Sequence, residues 1–291
     1  MIGVDIGGTN LLIGKIIDGK VVERVHQPIQ ARGDFNLVAT QTCKAIKDFG
    51  CNDISSIGIS VAGSVNVDKG IVLRAENLDW DDAPLAQFVS DELQCKVVIE
   101  NDVTAAAWGE FSYGAGISSD SLFAVWIGTG IGGGLILNKT IWRGPLGTGG
   151  EFGMGISEYS PSEDTRVLEG FSSRSGLQRL LQMPDLDTTT IANGYGNSKQ
   201  ITQAVNTGAF RIGSSIANVI TLLSLDTVVL GGGLVEALGE PYVEKIRQQF
   251  LDDVFPEHCK QCKFYITTLG PDAGLLGAAS LANLAQSHPV L

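Results

Sequence analysis

Ile2-Gly3-Val4-Asp5-Ile6-Gly7-Gly8-Thr9-Asn10-Leu11-Leu12-Ile13 opens the chain, and its reading decides the fold. Ile2 to Ile6 reads as a strand and Leu11 to Ile17 as another. Gly7 and Gly8 permit a tight reversal between them, because glycine reaches backbone angles closed to other residues. A nearly bare turn lets backbone N–H groups approach an anion, as phosphate-binding loops do. Asp5, at the end of the first strand, suits Mg²⁺ held directly or through water. A plain Gly-Gly hairpin with a solvated Asp accounts for the same residues.

Asp18-Gly19 then separates Leu11–Ile17 from Lys20–His26, a strong hairpin signal. The whole pattern recurs. Ser121 to Ile127 is apolar and meets Gly128-Thr129-Gly130-Ile131-Gly132-Gly133-Gly134. Leu135-Ile136-Leu137, a turn at Asn138-Lys139 and Thr140-Ile141-Trp142 follow. Each half reads strand, glycine turn, strand, short turn, strand. Two copies predict two similar lobes that offer glycine turns to one ligand.

Helical periodicity covers Phe35–Phe49, Pro84–Leu93, Val103–Phe111, Leu168–Gln182, Lys199–Leu223, Tyr242–Leu251 and Ala273–Ala285. Further strands are expected at Ile54–Val61, Val97–Glu100, Asp226–Leu230 and Phe264–Thr267, with a turn at Asp68-Lys69-Gly70. Strands alternating with helices, and hairpin-rich sheets opening both halves, describe an α/β protein. Tyr113–Asp120 reads as a link between lobes 1–116 and 117–272. The helix beginning at 273 is expected to pack back on the first lobe.

With 291 residues, 44% hydrophobic, the chain has ample material for a core. A net charge of -12 argues against nucleic-acid and anionic-membrane partners. No apolar run reaches membrane-spanning length and no signal peptide is seen, so a cytoplasmic location is expected. The cysteines are Cys43, Cys51, Cys95, Cys259 and Cys262, an odd number that fits reduced thiols. Cys259 and Cys262, beside His258, have half the spacing of a metal site. No second pair completes it, and a solvated loop is the expectation.

Glu100-Asn101-Asp102 ends a strand and begins a helix. Asp102 admits two roles, helix N-cap or a carboxylate accepting a proton from an attacking hydroxyl. Asn101 has an amide to offer a neighbouring hydroxyl. Glu151, in the Gly149–Gly153 loop, and Glu169 suit sugar hydroxyls, or else are solvated charges. Gly231, Gly232 and Gly233 are either a flat seat for adenine or ribose, or packing glycines at a strand-to-helix turn.

Together these motifs resemble the ROK family (repressor, open reading frame, kinase) of actin-like sugar kinases. The resemblance rests on Asp5–Asn10, Glu100–Asp102, Ile127–Gly134, Trp142–Gly144, Gly150–Gly153, Val229–Gly233 and Asp272–Ala278, and spans nearly the whole chain. It implies a two-lobed actin-like (ribonuclease H-like) fold with a duplicated core, ATP and Mg²⁺ in a cleft, and a homodimer. It makes Asp102 the catalytic base and Gly63, Asn77, Asn101, Asp102, Glu151 and Glu169 sugar contacts. Nucleotide contacts fall to Asp5, Gly7, Gly8, Thr9, Asn10, Thr129, Gly130, Gly132, Gly231, Gly232 and Gly233. Glucose phosphorylated at O6 is the first expectation. N-acetylmannosamine, a β-glucoside and a non-catalytic sugar sensor are the alternatives. Two positions depart from the family: Met154 replaces a His, and no Cys lies in Gly155–Arg166, so no zinc is expected. The family's repressors carry a DNA-binding segment ahead of the first strand, where this chain begins, so a kinase is expected over a repressor.

Overall fold

A computed structural model describes residues 1–50, 55–158 and 166–287. It divides into two compact units. The first holds 1–117, 141–149 and the chain from Pro271, and the second holds 118–140 and 150–270.

In the first unit, β1 (Ile2–Ile6), β2 (Asn10–Ile17), β3 (Lys20–Pro28), β4 (Ser56–Val61) and β8 (Lys96–Asn101) form one sheet in the order β3-β2-β1-β4-β8. β1 runs antiparallel to β2 and parallel to β4, which runs parallel to β8. Central β1 and β4 are near-continuous apolar runs, as strands covered on both faces require. β3, at the edge, is largely exposed and carries Lys20, Glu23 and Arg24, charges that discourage edge-to-edge pairing.

The second unit repeats this plan. β9 (Leu122–Ile127), β10 (Ile131–Leu137), β11 (Thr140–Ile141), β12 (Thr227–Gly231) and β13 (Lys263–Ile266) are ordered β11-β10-β9-β12-β13. Again an antiparallel hairpin is extended by two parallel strands. The duplication read from the glycine turns is therefore a duplication of sheet topology.

Helix α1 (Phe35–Asp48) is capped by Asp34, whose side chain accepts from Leu37 N. α2 (Leu85–Leu93) and α3 (Asp102–Tyr113) follow in the first unit. α7 (Lys199–Leu223) turns Ile201, Val205, Ala209, Ile212, Ile216 and Ile220 into the second unit's core. α10 (Ala273–Ser287) packs on α3, β1 and β4. Glycines make that contact possible. A Cβ on Gly58 would lie 1.8 Å from Ala278 O, and one on Gly277 would lie 1.7 Å from Ala105 O.

Several expectations are corrected. Gly7, Gly8, Gly128 and Gly130 do not take left-handed φ. Space explains Gly8, where a Cβ would fall 2.6 Å from Asn77 Cβ; at Gly130 a Cβ would fall 2.4 Å from Glu169 Oε2, so the Glu169 carboxylate would have to move. The second turn is only Gly128–Gly130, because β10 starts at Ile131 and takes in Gly132. The helix expected over 168–182 is broken into α4 (Leu168–Ser172) and α5 (Arg174–Leu181), since extended Ser173 caps the second piece through Gly176 N. The periodicity missed α6 (Thr188–Gly194), while the strand-to-helix turn read at Gly231–Gly233 leads into the short α8 (Gly233–Leu238). α9 (Glu240–Asp253) extends past the expected ends. A third sheet of β5 (Ser64–Asn66), β6 (Ile71–Ala75) and β7 (Trp80–Ala83), in the first unit, was also missed, its strands being short and two of them charge-interrupted. Trp80 anchors it edge-on to Phe35, ring centres 5.2 Å apart. Cys259 and Cys262 sit partly buried against the second unit's core, not in a solvated loop, and burial lifts the Cys262 thiol to about 12. Cys51 and the expected strand start at Ile54 lie outside the described residues, as does part of the Gly155–Arg166 stretch.

Candidate active site

In the first unit the strand ladder itself assembles a cluster. Asp5 on β1 stands beside Ser60 on β4, which stands beside Glu100 on β8. Ser60, buried, donates its hydroxyl to Asp5 Oδ1 at 2.6 Å. One residue past β8 the chain turns into α3, and Asp102 is the helix's first residue. The N-cap is Asn101 and not Asp102: its Oδ1 accepts from Thr104 N at 2.9 Å. Its amide donates to Gly63 O at 3.0 Å and to Asp102 Oδ1 at 2.9 Å. Both amide hydrogens of Asn101 are thus engaged within the protein, bracing the turn and one oxygen of Asp102.

Val103 N donates to that same Oδ1 at 2.9 Å. Burial raises the Asp102 carboxyl to about 7, and the charge on Asp5 adds to the effect against the hydrogen bonds. Burial also raises Asp5, with Ser60 opposing. A carboxylate poised near neutrality is matched to proton transfer. A hard divalent cation takes oxygen donors, and Asp5 keeps Oδ2 available for one while Oδ1 is held by Ser60. Among the described residues no three His, Cys, Asp or Glu side chains converge. The donor set therefore fits an ion that keeps most of its shell as water or phosphate oxygens.

Two residues of this cluster had no role in the sequence reading. Glu100, 2% exposed, forms an ion pair with Arg143 and accepts from Asn101 N at 2.9 Å. Burial raises the Glu100 carboxyl while Arg143 holds it down. Arg143 is 43 residues away in sequence, beyond any local signal. Arg32 Nε donates to Gly8 O, placing a guanidinium at the first glycine turn. Gly63 is confined by Arg74 O and Ala75, and exposed Asn77 lies against Gly8. Thr9 Oγ1 accepts from Asn10 Nδ2 at 3.0 Å, and Gly7 N closes the turn on Asn10 O at 2.9 Å.

The second unit places its expected residues around the other turn. Gly128 N bonds Gly130 O at 2.9 Å. Glu169 Oε2 accepts from Ile131 N at 2.7 Å, so this carboxylate lies against the turn in place of pointing to solvent. Arg174, also missed, donates to Thr129 Oγ1 at 2.7 Å. The exposed Glu151 belongs to a loop stitched to β10 by Gly133 N, 2.9 Å from Gly150 O. Met154, three residues on, is 57% exposed. Gly231 is packed under Trp126 (a Cβ would lie 2.7 Å from Cε2), and Gly232 has a φ of 91°, so packing and turn geometry explain both. At Gly233 no atom comes nearer than 3.9 Å to a Cβ position.

The ROK family model matches residues 1–285. This chain belongs to the ROK family. It is 28% identical to a glucokinase of Halalkalibacterium halodurans, covering 96% of this chain and 94% of that one. A xylose repressor of Caldicellulosiruptor bescii is 26% identical over 78% of this chain and 62% of its own. Among solved structures, a ROK family glucokinase from Streptomyces griseus in complex with glucose and AMPPNP superposes with a TM-score of 0.82. It is 27% identical, with 98% of this chain and 99% of that one covered. The fold is accordingly that of the actin-like ATPases, as the resemblance to the ROK family implied.

Proposed function

We propose that this ROK protein is an ATP-dependent sugar kinase that transfers the γ-phosphoryl group of ATP to the 6-hydroxyl of a hexose, glucose first. The observation that carries the reading is Asp102, with Oδ1 pinned by two donors and its carboxyl raised to about 7. A sensor has no need of a base held near neutrality. The similarity to glucokinases across nearly the full chain favours glucose among hexoses.

Asp102 accepts the hydroxyl proton at Oδ2 as the sugar oxygen forms its bond to the γ-phosphorus. The bond from that phosphorus to the β,γ-bridging oxygen breaks and ADP departs. Gly63, Asn77, Glu151 and Glu169 hold the sugar in this reading, while Asn101, its amide engaged by Gly63 O and Asp102, braces the base. Gly7, Gly8, Thr9, Asn10, Thr129, Gly130 and Gly132 take the phosphates, and Gly231, Gly232 and Gly233 the nucleoside. Mg²⁺, held by Asp5 through water, would neutralise charge on the phosphates. Positioning supplies most of the rate, as in phosphoryl transfer generally. A cytoplasmic homodimer belongs to the same proposal on the strength of the family.

The second reading is a non-catalytic sugar sensor, favoured by the similarity to a xylose repressor. A coupled ADP-release assay over glucose, N-acetylmannosamine and β-glucosides separates the two. Turnover highest with glucose is expected. Sugar binding by calorimetry without ADP release from any sugar would establish the sensor instead.

A further inference from the structure

Arg174 is the first residue of α5, and its surroundings lie wholly in the second unit. Its backbone N donates to Gly128 O at 2.9 Å, and Ser175 N donates to Thr129 O at 3.2 Å. Gly176 N is satisfied by Ser173 Oγ at 3.0 Å. The helix start is therefore sewn to the glycine turn, and its first amides are occupied. What remains is the side chain. One terminal nitrogen donates to Thr129 Oγ1 at 2.7 Å, while Nε is buried with no hydrogen-bond partner. A guanidinium has five N–H donors and no way to shed its charge. A buried donor left unsatisfied is costly, more so on a charged group. Among the described residues no carboxylate forms an ion pair with Arg174, though Asp187 is within electrostatic reach. The nearest carboxylate on the turn, Glu169, is committed to Ile131 N.

We propose that Arg174 is a phosphate-contacting residue, its guanidinium binding the terminal phosphoryl oxygens of the nucleotide beside Thr129. This rests on the reading above that the Gly128–Gly130 turn takes the polyphosphate of ATP. Planar guanidinium suits phosphate oxygens, which it meets with paired charge-assisted hydrogen bonds. The hydrogen bond to Thr129 then holds the fork at the turn before the anion arrives. Such preorganisation lowers the ordering cost of binding.

The test compares the full chain with Arg174→Gln and Arg174→Lys by calorimetry, using inorganic tripolyphosphate, ADP and adenosine. Arg174→Gln is expected to weaken tripolyphosphate and ADP by roughly 10- to 100-fold, charge-assisted hydrogen bonds being the strong ones. Adenosine affinity and sugar KM stay within about twofold, a shift well below one such bond. Arg174→Lys recovers part of the loss, since the charge is kept and the fork is not. Unchanged affinity for tripolyphosphate and ADP would overturn the proposal. So would an equal loss for adenosine, which would make Arg174 a brace for the turn. Wild-type chain that binds tripolyphosphate through Arg174 but phosphorylates no sugar would remove the kinase reading and leave this contact standing. Kinase turnover with nucleotide KM indifferent to Arg174→Gln would do the reverse.

Discussion

Asn101 donates to Oδ1 of Asp102 at 2.9 Å while its own Oδ1 caps α3. One side chain thus ends the strand, starts the helix and fixes the orientation of the carboxylate. Among the described residues the hydrogen bonds from Asn101 and Val103 fall on Oδ1, which leaves Oδ2 for the proposed proton transfer. A helix cap and a brace for the candidate base are here the same hydrogen-bond set.

The first consequence concerns pH. In the proposed role Asp102 is a base only when ionised, and burial raises its carboxyl to about 7. The kcat/KM for sugar should therefore fall on the acid side, half-maximal near that pH and about tenfold per pH unit below it. Asp102→Asn should lower kcat by ~10²–10⁴-fold at pH 8, the usual range for losing a general base. A profile flat down to pH 5, measured by coupled ADP release, would exclude Asp102 from proton transfer.

The same carboxyl has a thermodynamic signature. Its folded value of about 7 lies above the ordinary 3.8. Between those two the folded chain holds a proton that the unfolded chain releases, so stability drops as pH climbs through that window. The deficit is complete above the folded value. Asp102→Asn should accordingly raise the melting temperature at pH 8 by about 2–4 °C, and hardly at pH 4. The residue is partly exposed, so solvent screening trims the gain. Differential scanning calorimetry at the two pH values would show it, and a lower melting temperature at pH 8 would contradict it.

Arg143→Met leaves the Glu100 carboxylate buried without its counter-charge. Breaking a buried pair from one side costs about 3 kcal/mol. Burial already pushes the Glu100 carboxyl up, and Arg143 opposes this. Without Arg143 the carboxyl takes up a proton at higher pH, so the loss should be greater at pH 8 than at pH 5. Urea unfolding should show a lower midpoint with an unchanged slope, and adding Glu100→Gln should recover part of the loss. Equal losses at both pH values would point to packing of the Arg143 stem.

On α10 two glycines make contrasting predictions. A Cβ at Gly277 would sit 1.7 Å from Ala105 O, whereas one at Gly274 meets nothing nearer than Ser60 Oγ at 3.4 Å. Gly277→Ala must push α10 off α3 and should cost about 3 kcal/mol or more, at the upper end for overpacking. Gly274→Ala should stay within about 1 kcal/mol, helped by the better helix propensity of alanine. Circular-dichroism melts of the two variants would rank them, and equal stability would refute the close packing of α3 on α10.

Local chemistry alone was enough for the repeated core. Apolar runs, Asp18-Gly19 and Asn138-Lys139 mark both hairpins, because strand periodicity and turn residues act over a few positions. Both hairpin turns adopt the positive φ such turns demand. The Glu100-Asn101-Asp102 strand-to-helix junction was legible on the same grounds. What the turn glycines are for was not: a side chain at Gly8 would run into Asn77, and one at Gly130 would displace the Glu169 carboxylate, neighbours set by tertiary contact. The pairing of Glu100 with Arg143, the approach of Arg174 to Thr129 and the Ser60 hydroxyl on Asp5 belong to that same class. Each joins residues tens of positions apart, where no pattern in the chain says which charges and hydroxyls will meet. The sequence by itself determined the strands of the two repeated sheets, their duplication and the candidate base. Only the folded chain decided which buried partners hold that base in place, because burial and partner distance, which set its charge, are properties of the packed state.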